Sequence, residues 1–80
     1  MSRDEIVQLI TKELAEQLDE VDEDMLEPGL SMRDFGANSL DVIEVVTSVM
    51  RQLDIKIPRS QLADIETIDG LADKFAEHVD

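Results

Sequence analysis

The stretch from Leu40 to Leu53 constrains the fold more than any other. Leu40, Ile43, Val46, Val49, Met50 and Leu53 recur three and four apart, with Val42 and Val45 beside them. That spacing lays a wide apolar stripe along a helix. The β-branched residues would suit a strand, but about fifteen unbroken residues exceed usual strand length. Asp41, Glu44 and Arg51 are its only charges. A helix apolar over most of its girth lies at the centre of a bundle or shows an apolar patch to a partner.

The rest of the chain divides around this helix. Ser2-Arg3-Asp4-Glu5 forms a capping box, and Ile6, Leu9, Ile10, Leu14 and Leu18 follow at helical spacing. Acids then crowd in and Pro28-Gly29 breaks the pattern, so about Asp19 to Asn38 reads as a long loop. Loops of that length are usually functional or conceal a short element. Leu26, Leu30, Met32 and Phe35 are apolar enough to pin it to a core. Asn38 or Ser39 caps the central helix, which ends near Leu53. Pro58 stops the next run, and Ser60 to Ile65 makes one or two helical turns. Thr67 caps a last helix with Ile68, Leu71, Phe75 and Val79 on one face. The expected fold is all-α: a small four-helix bundle of three longer helices and one short one, with the long loop between the first two. Its 80 residues fit a single domain spanning residues 1–80. Met1 at the start predicts a free-standing protein rather than an excised piece.

Charge narrows the partners. Seven bases against twenty acids give a net charge of −13. Such a field repels nucleic acid and anionic membrane surfaces, so the expected partners carry basic patches. From Glu13 to Glu27 there are eight acids and no base, which reads as a solvated, repulsive segment. No apolar run reaches the length of a membrane span, and no signal-peptide core is present. The absence of cysteine excludes a disulfide scaffold, a thiolate metal site and a cysteine nucleophile. A cytoplasmic location and a monomeric state are the expectation.

Enzymatic chemistry finds little support. His78 is the only histidine and stands near a terminus, so no nucleophile has an oriented base. Asp22-Glu23-Asp24 looks like the start of a calcium loop. Its fifth position is Leu26, however, and its twelfth is Arg33, where a bidentate glutamate is required. No catalytic residue and no metal site are expected.

One constellation remains, Asp34-Phe35-Gly36-Ala37-Asn38-Ser39-Leu40-Asp41. Gly36 permits a tight turn. Ser39 presents a hydroxyl at a helix N-terminus, where partial positive charge suits a phosphate. Leu40 is expected to turn into the core and fix the direction of the serine. On this chemistry alone Asn38 or Ser39 is equally an ordinary helix cap.

Gly36-Ala37-Asn38-Ser39-Leu40 resembles the phosphopantetheine attachment site of acyl carrier proteins, whose usual pattern is Gly, any residue, Asp, Ser, Leu. The resemblance runs through nearly the whole chain: the capped first helix, the loop with Leu30 and Phe35, Ile57-Pro58, and a last helix with Leu71 and Phe75. It implies that a phosphopantetheinyl transferase places 4′-phosphopantetheine on Ser39, with Gly36, Asn38 and Leu40 completing the motif. The arm's thiol then carries acyl thioesters, and the protein catalyses nothing. By position the resemblance assigns partner recognition to Asp41, Glu44, Thr47, Met50 and Arg51, which otherwise read as a solvated helix face. An interior lined by residues such as Ile43, Val46 and Leu71 would shelter a short acyl chain.

Two departures point further. Asn38 stands where most carriers have aspartate, and Met50 and Arg51 fall where glutamates are common. A narrower resemblance fits both: Gly36-Ala37-Asn38-Ser39 followed by Leu40-Asp41 is similar to discrete donor carriers of polyketide β-branching cassettes, as are Ile57-Pro58-Arg59, Leu62-Ala63, Ile68, Gly70-Leu71 and Asp73. That resemblance implies three further partners: an acyltransferase, a decarboxylating ketosynthase-like enzyme and a hydroxymethylglutaryl-CoA (HMG-CoA) synthase-like enzyme that receives acetyl. Against it, Val42 stands where those donors often have arginine. The alternatives are a chain-carrying polyketide or fatty-acid carrier, a peptidyl carrier, and an unmodified acidic helical adaptor that binds a basic partner.

Overall fold

In the computed structural model, which describes residues 2–19, 21–62 and 64–79, the first helix α1 spans Arg3–Gln17. The Ser2 hydroxyl accepts the amide of Glu5, and the Glu5 side chain accepts the amide of Ser2. Both halves of the expected box are therefore made. Ile6, Ile10 and Leu14, four apart, point inward and are completely buried.

The central helix α2 spans Ser39–Leu53 and buries Val45, Val46 and Val49. β-Branched side chains lose rotamer freedom in a helix, so burial against neighbours, not propensity, holds this segment helical. Its end is a Schellman closure. Ile55 donates its amide to the carbonyl of Met50 at 3.0 Å, and Asp54 donates to that of Arg51 at 3.3 Å. Helix α3 is one turn, Arg59–Leu62, shorter than the expected Ser60–Ile65; within that stretch Ala63 lies outside the described residues. The last helix α4 spans Ile68–His78, and Thr67 caps it by accepting the amide of Gly70 at 2.9 Å. It contributes Ile68, Leu71, Ala72 and Phe75, all completely buried.

Helix α1 packs against both α2 and α4, and their apolar stripes share one core in which Phe75 is completely buried. Two polar ties reinforce this arrangement. Glu13 of α1 accepts hydrogen bonds from Ser48 at 3.0 Å and from Gln52 at 2.6 Å, both on α2. Arg3 of α1 pairs with Asp73 at 2.6 Å and with Asp69 at 3.0 Å, both on α4. Those bonds, to Asp73 first, hold the guanidinium pKa above its usual value.

The long loop conceals two 3-10 turns, Glu23–Met25 and Met32–Phe35. Leu26 and Met32 are buried as expected and Phe35 packs against the core, but Leu30 is 43% exposed. Main-chain bonds do the remaining pinning. Met32 donates its amide to the carbonyl of Glu66 at 2.8 Å, and Asp69 donates to that of Pro28 at 3.0 Å. A bridge between Ser31 and Thr67 lies between them. The loop is thus laced to the connection that leads into α4. Gly36 ends the second 3-10 turn at φ 96°, a region open to glycine at little cost.

Candidate functional site

The second 3-10 turn delivers the chain to Asn38, which starts α2. The Asn38 side chain accepts the amide of Asp41 at 2.9 Å, and a carboxylate oxygen of Asp41 accepts the amide of Asn38 at 3.1 Å. Asn38, rather than Ser39, is therefore the cap. The sequence pattern leaves the cap open between the two; the part of Asp41 was missed, and the Asn-x-x-Asp spacing was its signal. The other oxygen of Asp41 accepts a hydrogen bond from Gln17 of α1 at 3.1 Å, which anchors the start of α2 to the end of α1.

Capping by Asn38 releases Ser39. It is the first residue of α2, exposed to solvent, and its hydroxyl makes no side-chain hydrogen bond among the described residues. It sits on the rim of a groove of about 240 Å³ between α2, α3 and the two linking loops. Val42, Ile43, Val46 and Met50 supply one apolar wall, and Met32, Leu62 and Ile65 supply the other. Ser39, Thr47, Arg33 and Glu66 are the polar lining. The arrangement offers a free hydroxyl at a positive helix end above an apolar trough. Among the described residues no side chain hydrogen-bonds that hydroxyl as a base would. Among the described residues no cluster of acids and His78 is arranged to hold a metal ion.

The other expected site residues separate. Leu40 does not enter the core: it is 63% exposed. It lies nine residues before Val49, about two and a half turns, and so faces the opposite side of the helix. Leu71 is buried in the core and does not line the groove, so the apolar shelter is lateral rather than central and keeps only Ile43 and Val46 of the expected trio. Glu44 and Arg51 are exposed, with no ion pair among the described residues. Asp41 is engaged in the cap. Thr47 is exposed, lines the groove and donates its hydroxyl to the carbonyl of Ile43 at 2.8 Å. Met50 also lines the groove, and its sulfur accepts the amide of Ile57 at 3.3 Å. Arg33, Leu62, Ile65 and Glu66 complete the groove without having been singled out as site residues. Leu62, Ile65 and Glu66 come from the segment after α2 and Arg33 from the 3-10 turn just before it, and no local pattern marks them as one site.

A free serine at a helix start beside an apolar trough is the arrangement a carrier of a covalently attached group requires. A family model described as the phosphopantetheine attachment site matches residues 8–75, and the chain belongs to this family of acyl carrier proteins. Members bear covalent 4′-phosphopantetheine and are carriers, not catalysts. The chain is similar to the polyketide biosynthesis acyl-carrier-protein AcpK of Bacillus subtilis (strain 168), 32% identical over 79 residues that cover 99% of this chain and 96% of that one. It is 38% identical to an acyl carrier protein of Sulfurovum sp. (strain NBC37-1), covering 95% of each. Among solved structures it matches a chain in the crystal structure of the Curacin biosynthetic pathway HMG synthase in complex with acetyl donor-ACP. That match has a TM-score of 0.85 and 35% identity, and covers 96% of this chain and 99% of the other.

Proposed function

We propose that Ser39 carries the phosphopantetheine arm and that the loaded protein serves polyketide biosynthesis as an acetyl donor to an HMG-CoA synthase-like enzyme. The observation that carries the reading is the uncommitted Ser39 hydroxyl, freed by the Asn38 cap and standing on the groove rim. The donor role is supported by the 35% identity and 0.85 TM-score to the chain from the acetyl donor complex, and by the similarity to a polyketide carrier. In this role a phosphopantetheinyl transferase installs the arm. An acyltransferase and a decarboxylating ketosynthase-like enzyme leave acetyl on its thiol, and the synthase takes it. Glu44 and Arg51, free on the outer face of α2, and exposed Leu40 beside Ser39 are the surface such partners meet. Asp41, Thr47 and Met50 contribute by shaping the start of the helix and the groove.

A second reading, a carrier of a growing chain, is favoured by one observation. A groove of about 240 Å³ holds several times the volume of an acetyl group, given that even one water claims about 30 Å³. Val42, standing where donors often have arginine, forms part of its apolar wall.

The test begins with intact mass after incubation with coenzyme A, magnesium and a promiscuous transferase, with Ser39→Ala alongside. One phosphopantetheine is expected on the parent chain and none on the variant. Failure of the parent to load would leave an unmodified adaptor. The acetylated holo-protein is then offered to an HMG-CoA synthase-like enzyme. Acetyl appearing on the synthase cysteine supports the donor; retention of acetyl on the carrier favours the chain-carrying reading.

A further inference from the structure

Among the described residues, Arg33 is the one basic side chain lining the groove that Ser39 heads. It belongs to the 3-10 turn just before α2, and the main-chain tie from Met32 to Glu66 holds that turn in place. The side chain is exposed and makes neither a hydrogen bond nor an ion pair among the described residues. Lys12, Arg51 and Lys56 likewise make no ion pair among the described residues, but none of them lines this groove, so what sets Arg33 apart is its place beside Ser39. Its sequence neighbour Asp34 is itself exposed, and no pairing with it is made. Arg3 and Lys74, by contrast, are paired with Asp69, Asp73 and Glu77. The next base along α2 is Arg51, twelve residues from Ser39, which is about 18 Å along the helix axis.

A phosphodiester at Ser39 would introduce a further negative charge into a molecule already at −13, two residues from Asp41 and about one and a half turns from Glu44. The positive end of α2 offsets part of that repulsion. A guanidinium offers more: it stays charged, and its fork matches two phosphate oxygens at once. Glu66 also lines the groove and repels the same group. The polar lining therefore favours a phosphate on the Arg33 side.

Resting on attachment at Ser39, we infer that Arg33 is a positioning residue for the prosthetic group, binding its phosphodiester and setting the arm over the apolar groove. The arm's origin is then held against the 3-10 turn, with Val42, Ile43 and Thr47 beneath its path.

The test uses full-length apo and holo forms of the parent, Arg33→Gln and Arg33→Lys. Intact mass first confirms one phosphopantetheine on each, so loss of attachment is read separately from loss of positioning; a parent that does not load would remove both ideas. The side chain is exposed, so both variants should fold. Loading should shift the Arg33 side-chain Nε–H resonance in the parent, and the phosphorus resonance of the holo form should move on Arg33→Gln. The apo-to-holo change in melting temperature should be about 2–5 °C more favourable with Arg33 than with Gln. Lysine should recover part of the difference, and 0.5 M salt should shrink it. An unmoved Nε–H signal on loading, or an apo-to-holo change identical in the parent and Arg33→Gln, would overturn the assignment.

Discussion

Asp54 sits in left-handed backbone, at φ 55° and ψ 46°, because the closure of α2 demands that conformation and no glycine was supplied. Any residue with a Cβ is strained there, aspartate less than most. Asp54→Gly should therefore stabilise the protein by about 0.5–1 kcal/mol, a rise of roughly 2–6 °C in melting temperature for a domain of this size. A thermal melt showing no rise would mean that the aspartate contributes something the backbone does not reveal. Gly36 is the converse: its φ of 96° requires what glycine supplies. That requirement was legible as a tight turn before the serine. Leu40 was not legible. A leucine beside a motif serine reads as a core anchor, yet its angular position on α2 relative to Val49 puts it 63% exposed.

At the level of the elements, caps were the most readable feature. Ser2 with Glu5, and Thr67, do what their sequence patterns predict, because capping is a contact between residues three apart. The box of Asn38 and Asp41 is the one most closely tied to function, since it orients the start of α2 and leaves Ser39 uncommitted. Asn38→Ala should cost about 1 kcal/mol, seen as a lower urea midpoint at unchanged slope. Asn38→Asp keeps the acceptor and should stay near the parent. If alanine is as stable as asparagine, the tie from Gln17 to Asp41 carries the helix start instead. The second 3-10 turn was hidden because a main-chain partner that holds it, Glu66 for Met32, lies more than thirty residues away, and the first because a single turn leaves no apolar periodicity to read.

Across the whole molecule charge opposes compactness. A net −13 is confined within extents of 33 × 24 × 20 Å. The screening length falls from about 30 Å at 0.01 M salt to about 8 Å at 0.15 M. At the lower salt every carboxylate feels the others, and at the higher only its neighbours. Melting temperature should therefore rise by several degrees over that range, and a fall would mean that the exposed pairs of Arg3 outweigh the collective repulsion. Periodicity and capping act over a few residues, so the longer helices, their caps, the all-α class and the serine at the head of the central helix were all readable locally. Which apolar residues became core and which became groove was settled by packing between distant segments. Leu71 went to the first, Met50 to the second and Leu40 to neither, because burial depends on which distant segment packs against each face. The same packing brought Arg33 and Glu66 to the groove that Ser39 heads, a juxtaposition of three separate stretches of chain that no local pattern encodes.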